Sequence, residues 1–204
     1  MANKKLPIYK LEILPKEGSK VFGIAYVQDG AVEEDFLMFD TDKVEEYFSN
    51  DDEMTTLGVA LIPDKHIFRR NKKTQEEYYV YFTKEEVEKI TMQFMQDGYQ
   101  SNLNLNHTSN KANSFIYQIF IIDRKKGINV PFGLNQKLPD GTLVIGTKVL
   151  DKKLWQDIKD GKYKAFSIEG LFEQIEESFN THNNEADEII QMMNQLSQLI
   201  NKLK

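Results

Sequence analysis

Cysteine is absent from this chain of 204 residues. That absence excludes disulfides, thiolate metal sites and a sulfur nucleophile. Any nucleophile must then be an oxygen, whose base is most simply an imidazole. Histidine is scarce: His66, His107 and His182 lie one to a segment, a poor basis for a zinc nest. No glycine-rich phosphate loop is present, since Gly58 stands alone in an apolar run. Neither a metal nor a cofactor is expected. Long apolar runs are missing too; none approaches the roughly 20 residues that span a bilayer. Met1–Pro7 carries charge with no apolar segment behind it, so a signal peptide is not expected. Positive charge is in deficit, with a net charge of −6, which argues against a nucleic-acid partner. The basic clusters Arg69–Lys73 and Arg124–Lys126 read as solvated turns between strands. A soluble, cytoplasmic protein that avoids membranes is the expectation.

Apolar residues make up 40% of the chain, enough for a core. Residues 8–14 and 21–27 read as strands around a turn at Pro15–Ser19, and Asp29-Gly30 marks a second turn. Further strands are expected at 57–62, 78–82, 115–122, 143–149 and 163–175. Thr41 or Asp42 suits the cap of a short helix. Thr83 with Glu86 forms a capping-box pattern ahead of Val87, Ile90, Thr91, Phe94 and Met95, and Asp97-Gly98 ends that helix. Asp151 is a good N-cap for a helix carrying Leu154, Trp155 and Ile158, closed by Gly161. Residues 101–114 read as a polar loop. The order is mostly β with a few helices, an α+β arrangement. A main domain over 1–177 is followed at 178–204 by a polar linker and a short helix. There Ile189, Met192, Leu196, Leu199 and Leu203 recur at heptad spacing. That seam fits packing on its own domain, or docking to a second copy or another protein.

Two residues carry potential chemistry. Ser167 lies in the apolar strand Ala165-Phe166-Ser167-Ile168-Glu169-Gly170, where alternation puts it on one face with Ala165, Glu169 and Leu171. A carboxylate in such a strand costs free energy unless paired, which hints at a site. His107 follows an asparagine-rich stretch and precedes a long apolar strand. Each has a plain alternative, a strand hydroxyl or a surface imidazole, and spacing alone leaves both open. His66 and His182 read as surface residues.

Four stretches carry a family likeness. Val27–Phe36 is similar to a V-x-x-P-A-I-E-x-x-F pattern, with Gly30 where proline is usual. Leu61–Arg69 matches P-D-x-x-I-x-R and is followed by the strand Tyr79–Phe82. Asn106-His107 precedes the strand Tyr117–Asp123. Trp155–Gly161 leads into Phe166-Ser167-Ile168-Glu169-Gly170, close to W-x-x-I-K-x-G-x-x-x-G-F-S-I-E-G. Over about residues 8–175 the chain thus resembles the prohead maturation proteases of tailed bacteriophages.

The resemblance implies a mainly β barrel wrapped by helices, like herpesvirus assemblin, with the C-terminal helical tail outside it. It implies a serine endopeptidase that cleaves scaffold, major capsid protein and itself inside the immature head, in the host cytoplasm. Ser167 would be the nucleophile, His107 its base and Glu169 the third member, with Asp123 as the alternative. The Lys162–Lys164 turn or a loop that orders on binding would supply the oxyanion donors. Two departures stand out: Ala165 replaces a common glycine and could crowd Ser167, and Gln118 replaces a frequent glutamate. They leave room for a catalytically silent head or scaffold protein with the same fold. A chance likeness on an unrelated β-rich binding module is the third reading.

Overall fold

A computed structural model describes residues 6–14, 18–31, 37–39, 53–71 and 73–176. The heptad segment, His182 and the helix expected after Thr41 or Asp42 lie outside the described residues. The strands are β1 (Ile8–Glu12), β2 (Lys20–Val27), β3 (Leu37–Phe39), β4 (Thr55–Leu61), β5 (Ile67–Arg70) and β6 (Glu77–Tyr81), then β7 (Leu103–Leu105), β8 (Ser114–Ile121), β9 (Leu143–Val149), β10 (Ala165–Leu171) and β11 (Glu173–Glu176). Helix α1 spans Lys84–Gln96 and α2 spans Lys152–Lys159. No helix among the described residues is long and apolar enough to cross a membrane.

The α+β class holds, but the described strands do not close a barrel. They form three sheets, ordered β11-β1-β6-β5, β10-β2-β7 and β3-β4-β9-β8. β10 packs beside β4, where a closing ladder would have to run. No ladder joins them, and β3 pairs with Thr55–Leu57 of β4. The single strand expected over 163–175 is two strands. β10 pairs with β2, and after Phe172 the chain changes sheet, so that β11 pairs with β1.

Helix α1 starts as its sequence dictates, Thr83 Oγ1 accepting from Glu86 N at 3.3 Å. Glu86 does not complete the box. Its buried carboxylate accepts from Ile13 N at 2.9 Å and so ties the helix to the chain leaving β1. Val87, Ile90 and Phe94 face the core, whereas Met95 is exposed. In α2, Asp151 caps Lys153 N at 2.8 Å, and Leu154, Trp155 and Ile158 are buried. The sheet containing β4 and β9 is covered on both faces. The main core lies on one side; Ile122, Leu134 and Leu138 pack with Val59 and Val144 on the other. That double cover explains why nearly every residue of β9 is buried rather than every second one.

A buried polar chain joins two of the sheets. Tyr26 Oη on β2 meets Thr147 Oγ1 on β9 at 2.6 Å, and Thr147 meets Thr56 Oγ1 on β4 at 2.8 Å. The Tyr26 ring packs on Phe166, with centroids 5.4 Å apart. Burial pushes the Tyr26 hydroxyl up to about 12. Tyr26→Phe should cost about 1–2 kcal/mol in urea unfolding at neutral pH, because it removes one of the two hydrogen-bond partners of the buried Thr147 hydroxyl. A raised folded-state pKa gives stability that is fully present below the unfolded value of about 10 and is lost as pH rises through about 12. The stability gap between wild type and Tyr26→Phe should therefore narrow across that window.

Candidate active site

β2 is the central strand of its sheet, with β10 antiparallel on one side and β7 parallel on the other. This register lines up short rows of residues. Ser167 is opposite Ala25, which is level with Asn104; Glu169 is opposite Gly23. The middle strand thus offers small residues where its two neighbours carry polar ones.

The carboxylate of Glu169 is held on both oxygens. Oε1 lies 2.9 Å from His107 Nδ1, and Oε2 accepts from Asn104 Nδ2. A Cβ at position 23 would lie 3.1 Å from Glu169 Oε2 and 3.3 Å from the Asn102 carbonyl oxygen. Gly23 is therefore what leaves room for the carboxylate over the sheet.

His107 is presented by a tight turn. Asn106 and His107 both have positive φ, 52° and 55°, and Thr108 N donates to Leu105 O at 3.1 Å. Paired positive φ values are the pattern of type I′ turns, in which the second position usually holds glycine. A histidine there is strained, and such strain persists only where surrounding contacts impose it. Asn106 N donates to Tyr26 O at 2.9 Å, fixing the turn to the end of β2. The His107 side chain stays 40% exposed, against 19% for Glu169, so the ring stands at the mouth and the carboxylate behind it. With Nδ1 on Glu169, Nε2 is the nitrogen left to take a proton.

Ser167, His107 and Glu169 line one cleft of about 540 Å³. The face of the first sheet also lines it, through Ile67, Arg69, Tyr78 and Val80. Asp123, the other candidate third member, is elsewhere. It caps the turn Arg124–Lys126 and pairs with Lys126 Nζ at 3.1 Å. Hydrogen bonding from Lys126 holds its carboxyl below the usual range. The Lys162–Lys164 turn is not a free pair of oxyanion donors, because Lys162 N and Lys164 N already donate to Asp157 O and Val27 O. His66 is exposed, its ring between Tyr79 and Tyr81 with centroids 6.0 and 5.7 Å away. No cluster of three or more potential metal ligands occurs among the described residues.

A family model described as "Putative phage serine protease XkdF" matches residues 43–176. The chain belongs to this phage serine protease family. The match contains Ser167, His107 and Glu169, while β1 and β2, including Gly23, precede it. No curated protein and no solved structure matches the chain.

Both departures from the prohead-protease pattern have local explanations. A Cβ at Gly30 would sit 2.6 Å from the Cβ of Ala165. Where the pattern has proline at the first position and glycine at the second, this chain has glycine and alanine. At this contact the Ala165 methyl lies where Gly30 carries no side chain. Gln118 is exposed on β8 against Gly146 and does not line the cleft.

Asn104, Gly23 and Arg69 are site residues that sequence reasoning passed over. Asn102-Leu103-Asn104-Leu105-Asn106 alternates with the period of a strand, and that signal marked β7 inside the supposed loop.

Two outcomes follow. Gly23→Ala should displace the Glu169 carboxylate and weaken or abolish the downfield imidazole N–H proton signal of His107, as read by NMR. Gly30→Ala should destabilise the protein, and adding Ala165→Gly should recover most of the loss. The coupling expected in a double-mutant cycle is about 1–3 kcal/mol.

Proposed function

We propose that the chain is a serine endopeptidase of phage head maturation. Ser167 is its nucleophile, His107 its general base and Glu169 the group that orients the imidazole. The observation that carries this reading is the 2.9 Å contact of Glu169 with His107 Nδ1 at a cleft also lined by Ser167. Membership of the phage serine protease family supports it.

In this reading Ser167 Oγ attacks the scissile carbonyl carbon while His107 Nε2 takes the hydroxyl proton. The Oγ–C bond forms as the carbonyl π pair moves to oxygen. On collapse the amine leaves with the proton that His107 returns. Water then repeats the sequence on the acyl-enzyme and frees Ser167. Glu169 keeps its negative charge throughout; it fixes the ring tautomer and stabilises the imidazolium. Backbone N–H groups at the cleft stabilise the oxyanion.

The substrates in this reading are scaffold, major capsid protein and the chain itself, inside the immature head. The heptad segment 189–203 suits docking to scaffold or to a second copy. Co-expression of the full chain with scaffold and capsid protein tests the assignment. Ser167→Ala and His107→Ala should each abolish processing, and Glu169→Gln should lower kcat by about a hundredfold or more with a small change in KM. Undiminished processing by Ser167→Ala would sink the reading and leave a structural head protein that keeps the fold.

A further inference from the structure

Resting on the peptidase reading, we infer that Arg69 makes the cleft selective for a substrate carrying an aspartate or glutamate side chain near the scissile bond. The cluster Arg69–Lys73 is not a turn throughout. Arg69 and Arg70 belong to β5, an edge strand, and the turn begins at Asn71, whose side chain accepts from Lys73 N and Thr74 N. Strand alternation separates the two arginines. Ile67 and Arg69 face the cleft, while Arg70 is paired with Glu77 and Phe68 packs edge-on against Tyr79.

Arg69 has no carboxylate partner among the described residues. Its one hydrogen bond runs from Nη1 to the carbonyl of Phe68 at 2.9 Å, leaving most of its five N–H donors unused. Partial desolvation lowers its pKa from the ordinary arginine value without removing the charge at neutral pH. Arg69 and Glu169 are the Arg, Lys, Asp or Glu residues among the described residues lining the cleft, and both Glu169 oxygens are engaged by His107 and Asn104. The Arg69 guanidinium is thus an unmatched planar cation on a wall that is otherwise mostly apolar. A carboxylate is its natural ligand, bound by charge-assisted hydrogen bonds. A second cavity adjoins the first, since Tyr78 and Gln174 line both, which gives an extended peptide room beyond the reacting residues.

The test uses the full chain and a pooled library of internally quenched octapeptides. Each pool fixes one position as Asp, Glu, Asn, Gln, Lys or Leu. At one position, Asp or Glu pools should be cleaved about ten- to a hundredfold faster than the Asn or Gln pools. Arg69→Gln should collapse that preference and leave preferences at other positions unchanged. Arg69→Glu should turn it toward Lys, and Arg70→Gln should keep it. Added salt should narrow it. Cleavage with no acidic preference, or a preference that survives Arg69→Gln, overturns the inference and leaves the peptidase reading intact. Cleavage of no pool by wild type overturns both.

Discussion

The site depends on a carboxylate held over the middle strand of a three-stranded sheet. Glu169 rests where Gly23 provides no side chain, with His107 on one oxygen and Asn104 on the other. Gly23 comes from β2, while Asn104 and His107 come from β7 and the turn that follows it. β10 brings Glu169 in register with Gly23, β7 brings Asn104 level with Ala25, and the turn after β7 turns His107 back over both. A half-buried charge is tolerated best with such partners. The same carboxylate that needs them also fixes the ring that bears the second nitrogen. Stability and chemistry therefore make the same demand on these three side chains.

Much of this was legible from residue order. The strand Leu143–Val149 and the helix after Asp151 stand where apolar pattern and capping place them. Glu169 beside Ser167 signalled a paired charge because an unpaired one would be costly there. Other features escaped for identifiable reasons. β7 hid because asparagines occupy every second position and polar content outweighed period. β5 hid because half of its four residues are arginines. The switch of sheet at Phe172 left no mark, since alternation continues across it. Barrel closure depends on which edges pair, which residue order does not show, and among the described residues β10 and β4 form no ladder.

The contact between Gly30 and Ala165 shows why single positions mislead when compared with a family pattern. Alanine at 165 suggests crowding beside the serine, and glycine at 30 suggests a loosened turn. A Cβ at Gly30 would lie 2.6 Å from that of Ala165, so the two residues form one contact. A packed contact constrains the summed volume of its residues more than the volume of either one. Gln118, on the outer surface of β8, bears on a different sheet.

The order in which the elements leave the ribosome gives the pairing of β1 with β11 a temporal meaning. Tyr9 is in register with Glu176, so the first sheet gains its outer strand only when nearly the whole described chain has been made. β10, which bears Ser167 and Glu169, immediately precedes it. A nascent or truncated polypeptide that stops short of these strands has His107 but lacks Glu169, its partner at Nδ1. Pairings between such distant residues are slow to form, because loop closure comes before any contact rewards it. Synthesis order thus sets when the site is complete: no fragment that ends before β10 holds the cleft lined by His107, Ser167 and Glu169.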